Sequence, residues 1–285
     1  MTARMVRACD TLAGVMNDSK DRGWALVLGA SSGFGEACSR ALAAAGWNIF
    51  GVHLDRKATL PHVEEIVAAI RAEGRRAEFH NINAADEGKR AEVVGEMQKT
   101  LAETEKARRV TVLLHSLAFG TLKPFFGDTR EGSMAKPQME MTLDVMAHSL
   151  VYWTQDLHLN DLFGESAKIF AMTSAGDHIV WPAYGAVSAA KCALESHIRQ
   201  IAVELATKNI SANAIRAGVT DTPALRKIPG SQSMIERVLG IHPARRLTTP
   251  GDVAGALVAL CAGETRWISG NVIGVDGGED IAGGN

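Results

Sequence analysis

Short apolar runs bounded by turn residues alternate along the chain with longer amphipathic stretches. The runs are typical of buried strands, and the stretches are typical of helices that pack on a sheet. The runs predict seven strands at Trp24–Leu28, Asn48–Val52, Ala77–His80, Val110–His115, Lys168–Thr173, Ser211–Ile215 and Asn271–Val275. The stretches predict six helices at Phe34–Ala45, Leu60–Glu73, Glu87–Ala107, Met139–Leu159, Tyr184–Thr207 and Gly251–Ala262. This alternation predicts an α/β fold with one doubly wound parallel sheet and helices on both faces.

The segment 222–246 breaks the alternation, because three prolines and two glycines surround only a short predicted helix, Ser233–Leu239. An irregular segment after a late strand of a doubly wound sheet lies over the crevice at the carboxyl ends of the strands. We therefore expect a substrate-binding lid at 222–246, within a single domain that covers residues 23–285.

Composition narrows the class of protein. The 285-residue chain is 46% hydrophobic and can bury a full core, while its net charge of -2 argues against nucleic-acid binding. No apolar run approaches the roughly 18 residues of a membrane span, and the cysteines at 9, 38, 192 and 261 form no disulfide or zinc pattern. Residues 1–22 are rich in charge, so we expect a loosely docked or disordered N-terminal extension, no secretory signal and a cytoplasmic protein.

A glycine-rich turn at 29–35 joins the first predicted strand to the first predicted helix. Its glycines at positions 29, 33 and 35 would let the backbone approach a pyrophosphate, whose charge is held by N–H groups at the helix N-terminus. Plain tight turns can have the same spacing, but the position directly after the first strand favours a dinucleotide cofactor. The predicted sheet is therefore of the Rossmann type.

The second predicted strand runs into Asp55, Arg56 and Lys57, where the adenosine ribose of a dinucleotide lies. An aspartate that binds the ribose hydroxyls is typical of NAD sites, and a guanidinium that pairs with a 2′-phosphate is typical of NADP sites. Because two cations follow the aspartate, we expect NADPH, with NADH as the alternative.

Tyr184 and Lys191 are seven residues apart in one predicted helix, so they share a face and are separated by two turns. A tyrosine one turn before the lysine would suit proton delivery to a ketone oxygen. That position holds Val187, whose aliphatic side chain cannot donate a proton. The phenol is thus displaced by one further turn towards the helix start.

From Trp24 to Gly278, the ordered motifs resemble the short-chain dehydrogenase/reductase superfamily. The Tyr-x6-Lys spacing and the segment His-Ser-Leu-Ala-Phe-Gly at 115–120 are similar to the enoyl-acyl-carrier-protein reductases within it. Met146 stands where ordinary dehydrogenases keep a catalytic asparagine. Ser174, ten positions before the tyrosine, stands where many enoyl reductases have a second aromatic residue, so the resemblance is to a divergent class with serine there.

The displaced tyrosine fits conjugate reduction. In ketone reduction, the proton donor must sit one bond from the hydride acceptor, whereas in an enoyl thioester the hydride enters the β-carbon and charge collects on an oxygen two carbons away. We expect Tyr184 to hydrogen-bond or protonate the developing enolate and Ser174 to be an auxiliary donor. Lys191 is expected to hold the nicotinamide ribose hydroxyls and to keep a positive field near the oxyanion.

The resemblance also implies binding positions. Those for the cofactor are Gly29, Ser31, Ser32, Gly33, Phe34, Gly35, His53, Asp55, Arg56, Asn81, Ile82, Ser116, Leu117, Ala118, Lys191, Gly218, Val219, Thr220 and Thr222. Those for the substrate are Phe119, Trp181, Tyr184 and Leu225. Further apolar residues on loops or strand ends near the predicted crevice either line it or belong to the core: Leu122, Phe125, Phe126, Met134, Met139 and Met172. The lid cations Arg226, Lys227, Arg237, Arg245 and Arg246 either attract an acidic carrier protein or are ordinary solvated charges.

The expected function is NAD(P)H-dependent reduction of trans-2-enoyl thioesters on acyl carrier protein or coenzyme A, in fatty-acid elongation, by a homotetramer without a metal. The alternative is an NAD(P)-dependent ketone or alcohol oxidoreductase, of the 3-oxoacyl thioester or hydroxysteroid type, against which Val187 and Met146 argue. A non-catalytic dinucleotide-binding regulator would keep the glycine turn but would not need Tyr184 and Lys191.

Overall fold

Seven parallel strands form one sheet in the order β3-β2-β1-β4-β5-β6-β7 in a computed structural model that describes residues 21–103 and 109–282. The strands are β1 (Trp24–Leu28), β2 (Asn48–His53), β3 (Ala77–Asn81), β4 (Val110–His115), β5 (Phe163–Ser174), β6 (Ser211–Ala217) and β7 (Val272–Val275). The chain leaves β1 first towards β3 and then returns to β4, so the order of the strands reverses beside β1. A crevice at the carboxyl ends of β1 and β4 follows from this reversal.

Eight helices connect these strands in the described part of the chain. They are α1 (Gly33–Ala44), α2 (Leu60–Ala72), α3 (Glu87–Ala102), α4 (Lys136–Leu143), α5 (Ser149–Leu159), α6 (Gly185–Glu204), α7 (Ser231–Ile241) and α8 (Pro250–Leu260). Side chains of α3, α5 and α6 form one apolar core with the sheet, and those of α1, α2 and α8 form a second core on the opposite face. The doubly wound Rossmann-type fold predicted from the sequence is therefore confirmed.

The strand patterns explain why the sheet is buried on both faces. All five residues of β1 are fully buried, and Trp24 stacks on Phe50 of β2 with ring centroids 3.9 Å apart. Continuous apolar runs of this kind are typical of parallel strands covered by helices on both sides. The register aligns Leu28 with His115, and His115 with Ala171, so the strand ends that build the site lie side by side.

Several boundaries differ from the predicted ones. β5 begins at Phe163 rather than Lys168, because the chain pairs with β4 through an irregularity between Val110 and Val112. The long helix predicted at Met139–Leu159 begins earlier and is interrupted by a π-helical turn, Asp144–His148. A π turn inserted into a helix often marks a functional region.

Other parts of the sequence prediction fall at the limits of the described residues. The expected N-terminal extension lies outside them for positions 1–20, and the end of the predicted helix Glu87–Ala107 lies outside them from position 104. Over residues 21–103 and 109–282, none of the helices has the length and apolar character needed to cross a bilayer. The segment 222–246 contains α7 between irregular stretches.

Candidate active site

The glycine turn between β1 and α1 is packed backbone against backbone. A Cβ atom at Gly29, which has φ +90°, would lie 2.5 Å from the carbonyl oxygen of Ser116, and one at Gly35 would lie 1.9 Å from the carbonyl oxygen of Gly29. Only glycine fits at these two positions. The N-cap residue of α1, Ser32, makes no side-chain cap, so the first N–H groups of the helix stay open to an anion. This cradle fits the pyrophosphate of a dinucleotide.

The ribose end of the cradle is built around Asp55. Its carboxylate lies 2.9 Å from His53 Nδ1 and accepts a hydrogen bond of 2.7 Å from the Thr59 hydroxyl. Burial raises the pKa of Asp55, but hydrogen bonds from Ser31, Thr59 and His53 outweigh it and hold the pKa below its usual value. Asn81 bonds both backbone groups of Asp55, whereas Arg56 is exposed. The structure therefore brings an ionised carboxylate to the place expected for the adenosine ribose.

The end of β4 lies beside the glycine turn. Ser116 N–H donates to the Leu28 carbonyl at 2.8 Å. His115 is fully buried, and its Nε2 lies 2.9 Å from the Ser149 hydroxyl. Burial, assisted by the charge of Lys191, lowers the pKa of His115 to about 3. This histidine is neutral at physiological pH.

Ser174, Tyr184 and Lys191 meet at the carboxyl end of β5. Tyr184 is the N-cap residue of α6 rather than its first helical residue. A Cβ at Gly176 would lie 2.4 Å from Tyr184 Cε1 and 3.2 Å from the Ser174 hydroxyl oxygen, so this glycine allows the serine and the tyrosine to approach each other. Sequence reasoning missed Gly176, because no local pattern marks a close contact between distant side chains.

The polar atoms of these three residues are suited to bind a reacting oxygen. The Ser174 hydroxyl is buried and lies beside the Tyr184 phenol. Burial raises the pKa of Tyr184, with the nearby Ser174 hydroxyl opposing the shift, so the phenol keeps its proton. Lys191 Nζ donates to the Met172 carbonyl at 2.7 Å, and burial lowers the pKa of Lys191 to about 8.

Apolar side chains fill the place one turn after Tyr184. Val187 and Met146 are both buried, and both lie next to Gly120. A Cβ at Gly120 would come within 2.9 Å of the Met146 sulfur and 3.1 Å of the nearest Val187 methyl. Neither side chain can donate a proton, so the hydroxyl groups of Ser174 and Tyr184 are the donors of this region.

The segment 222–246, predicted to be a lid, contacts the loop that leads to Tyr184. Trp181 Nε1 donates to the Pro229 carbonyl at 3.0 Å. Leu225 is buried, and Thr222 lies 3.5 Å from the position of a Cβ at Gly33. The structure thus brings Thr222 to the glycine turn and Trp181 to the lid.

The backbone of the loop after β6 is partly engaged within the protein. The Val219 N–H donates to both oxygens of Glu279, at 3.1 and 3.0 Å. Thr220 is buried and its hydroxyl donates to the Gly218 carbonyl at 2.9 Å. Glu279, at the end of the chain, was not singled out by sequence reasoning.

An apolar groove of about 400 Å³ flanks the site. It is lined by Phe125, Phe126, Met134, Met139 and three neighbours. The Phe125 ring packs on Gly185, directly after the tyrosine, because a Cβ there would lie 2.5 Å from Phe125 Cζ. Met172, in contrast, packs into the core on the opposite face of the sheet and does not line the crevice.

Two of the five lid cations are neutralised locally. Arg226 pairs with Asp221 at 2.8 Å and Arg246 pairs with Asp252 at 2.7 Å. A third, Arg245, donates to the Gly240 carbonyl. The positive charge that these five cations can offer to an acidic partner is therefore lower than their number suggests.

A second, larger cavity lies away from these residues. Its volume is about 700 Å³, and its lining includes Trp47, which precedes β2, and Lys168 in the first half of β5. It contains none of the site residues predicted from the sequence. Across residues 21–103 and 109–282, there is no cluster of three or more His, Cys, Asp or Glu side chains suited to a metal ion.

Known proteins resemble the chain in sequence. A family model described as "Enoyl-(Acyl carrier protein) reductase" matches residues 29–279. The chain is 31% identical over 172 residues to the enoyl-[acyl-carrier-protein] reductase [NADH] FabI of Aquifex aeolicus, covering 60% of this chain and 63% of that protein. It is 32% identical over 179 residues to the FabI of a Nostoc species, covering 63% and 68%. Nodulation protein G of a Rhizobium species is 28% identical over 257 residues, covering 89% and 95%.

Solved structures show the same fold. The enoyl-[acyl-carrier-protein] reductase (NADH) of Aquifex aeolicus superposes with a TM-score of 0.80 at 22% identity, covering 94% of this chain and 100% of that one. The angucycline C-6 ketoreductase LanV, with bound NADP, superposes with a TM-score of 0.79 at 20% identity, covering 92% and 97%. Because both kinds of reductase share the fold, the fold does not decide which bond is reduced.

Proposed function

The chain belongs to the enoyl-(acyl carrier protein) reductase family of the short-chain dehydrogenase/reductase superfamily, and from this membership we propose that it reduces the 2,3 double bond of trans-2-enoyl thioesters. The observation that carries the proposal is the placement of the donors. The site one turn before Lys191 is filled by buried Val187 and Met146, and the only phenol of the site stands one turn further away, beside Ser174.

The glycine turn supports a pyridine nucleotide as the cofactor. The open N-terminus of α1 binds the pyrophosphate. Lys191 donates one N–H to the Met172 carbonyl and has further N–H groups for the nicotinamide ribose. When bound, the reduced nicotinamide would supply a hydride to the β-carbon of the substrate, and the Tyr184 phenol, reprotonated from solvent, would supply the proton that completes reduction at the α-carbon. Lys191 also sets a positive charge beside the reacting groups.

Two hydroxyl groups stabilise the negative charge that develops on the thioester oxygen. Tyr184 donates from a phenol whose raised pKa keeps it protonated, and Ser174 donates from the buried hydroxyl beside it. Donors that are buried and fixed before the reaction stabilise an oxyanion more than mobile ones in water do. The same pair could also bind a ketone oxygen, which makes ketone reduction the second candidate.

The sequence favours NADPH as the cofactor, whereas the structure supports NADH. The sequence predicts NADPH from Arg56 and Lys57, whereas the ionised state of Asp55, at the position expected for the ribose, supports NADH. A carboxylate accepts hydrogen bonds from ribose hydroxyls and repels a 2′-phosphate. We therefore propose NADH as the preferred cofactor, in keeping with the names of the FabI relatives.

The acyl chain is proposed to lie in the groove lined by Phe125, Phe126 and Met139, because Phe125 packs on Gly185 next to the phenol. Trp181 and Leu225 close the site from the loop and the lid. Acyl carrier protein or coenzyme A would carry the substrate, and a cytoplasmic homotetramer active in fatty-acid elongation stays a prediction.

One assay tests the proposal. Oxidation of NADH and NADPH is followed with purified protein and either crotonyl or acetoacetyl thioester. We expect turnover of the crotonyl thioester with a higher kcat/KM for NADH. Turnover of the acetoacetyl thioester alone would refute the enoyl assignment, and tight nucleotide binding without turnover of either would indicate a regulator.

A further inference from the structure

The segment that follows β7 turns back over the carboxyl ends of the strands. The Asp276 carboxylate fixes this turn by accepting hydrogen bonds from the N–H groups of Gly278, at 2.9 Å, and of Asp280, at 3.1 Å. Gly277 and Gly278 both have positive φ, at +62° and +87°. The adjacent carboxylates of Glu279 and Asp280 are thereby directed to two different parts of the site.

Glu279 holds the loop after β6. Its two oxygens accept the Val219 N–H, and one of them lies 2.7 Å from the position of a Cβ at Gly218. The carboxylate therefore fills the space beside this glycine. The contact fixes the backbone from Gly218 to Thr220, in the loop after β6 that resembles the nicotinamide-side loop of the superfamily.

Asp280 holds the loop that links Ser174 to Tyr184. It accepts a hydrogen bond of 2.8 Å from Arg216 and lies 2.9 Å from His178 Nε2. Arg216 also donates to Asp177 at 3.0 Å, and Asp177 contacts His178 through its other oxygen.

The Asp280 contact is partly removed from water. The Asp177, Asp280 and Arg216 side chains are 9%, 15% and 22% exposed. Loss of one partner would leave the others buried without full compensation. Strand β6, the loop that carries Asp177 and the C-terminal segment are thus joined by one network of charges.

We propose that Glu279 and Asp280 are positioning residues that hold the nicotinamide-side loop and the Ser174–Tyr184 loop at a fixed separation. The proposed reductase activity depends on that separation, because hydride and negative charge arrive on different atoms of the substrate. The inference rests on the proposed function for its catalytic consequence. Its consequence for nucleotide binding holds whichever acceptor is reduced.

Experiments can distinguish the effect of Glu279 on nucleotide binding from the effect of Asp280 on turnover. Glu279→Ala should weaken NADH binding about tenfold, a change of about 1.4 kcal/mol, because the Val219 N–H loses its acceptor. Glu279→Gln keeps an acceptor oxygen and should recover most of the affinity. Asp280→Asn should leave the Kd for NADH within about twofold of the parent and lower kcat on crotonyl thioester about tenfold.

Binding is measured by NADH fluorescence, without substrate, on the full chain. Asp161→Asn is the matched control, since it removes an exposed acid whose pair with Arg109 lies at the opposite ends of the strands.

If Arg216→Gln and Asp280→Asn act through one contact, the double variant should be no slower than the worse single variant. Wild-type NADH affinity in Glu279→Ala, or wild-type kcat in Asp280→Asn, would overturn the proposal, as would additive losses in the double variant. Absence of enoyl turnover in the parent would refute the proposed function, yet the Glu279 binding result would still decide the inference.

Discussion

Gly176→Ala should disable the site by steric displacement of the phenol. The added Cβ would lie 2.4 Å from Tyr184 Cε1, whereas ordinary contacts begin at 3.4 Å, so the ring must move by about 1 Å. The same methyl would press on the Ser174 hydroxyl oxygen at 3.2 Å. Because a misplacement of about 1 Å can cost roughly 10²-fold in rate, we expect kcat to fall by about that factor.

The assay is steady-state reduction of crotonyl thioester, with NADH binding measured separately by fluorescence. NADH affinity should stay within about twofold of the parent, because the glycine turn and Lys191 are untouched. Overpacking should also cost about 1–3 kcal/mol of stability, which a thermal melt would record. Gly95→Ala is the matched control: its Cβ would meet no atom within 4 Å on α3, so stability should rise slightly and kcat should not change. A folded Gly176→Ala protein with kcat within about threefold of the parent would refute the packing of Tyr184 on Gly176 as the determinant of its position.

Three further outcomes follow from the same site. Tyr184→Phe removes only the hydroxyl and should lower kcat about 10²- to 10⁴-fold with an unchanged Kd for NADH; unchanged turnover would exclude the phenol from the mechanism. Since burial lowers the pKa of Lys191 to about 8, its ammonium loses the proton above that pH, so kcat/KM should fall as pH rises beyond about 8. Lys191→Arg should remove this fall in kcat/KM at high pH. If kcat/KM of the parent did not change with pH in this range, the role of Lys191 would be contradicted. Asp55→Ala should change the ratio of kcat/KM for NADH over NADPH about tenfold in favour of NADPH, and an unaltered ratio would show that Asp55 does not select the nucleotide.

Local features of the site could be predicted because they depend on short stretches of chain. The glycine spacing at 29–35 marks the cofactor turn, since close approach of a pyrophosphate requires glycine at defined positions after a strand. Helix periodicity places Tyr184 and Lys191, seven residues apart, on one face, although the helix itself begins one residue after the tyrosine, at Gly185. The π turn at Asp144–His148 was missed, because its hydrogen-bond shift leaves no change in the apolar pattern.

The amino-acid sequence by itself determined the strand and helix order, the nucleotide turn and the displacement of the phenol from Lys191, since each is encoded by residues close together in the chain. Only the tertiary structure decided that Tyr184 packs against Gly176, that the Ser174 hydroxyl is buried beside the phenol, and that Glu279 binds Val219. The Glu279 and Val219 contact joins positions 60 residues apart. Such a contact exists only once parallel strands have brought their carboxyl ends to one edge of the sheet, because no periodicity within either segment specifies the distance between them.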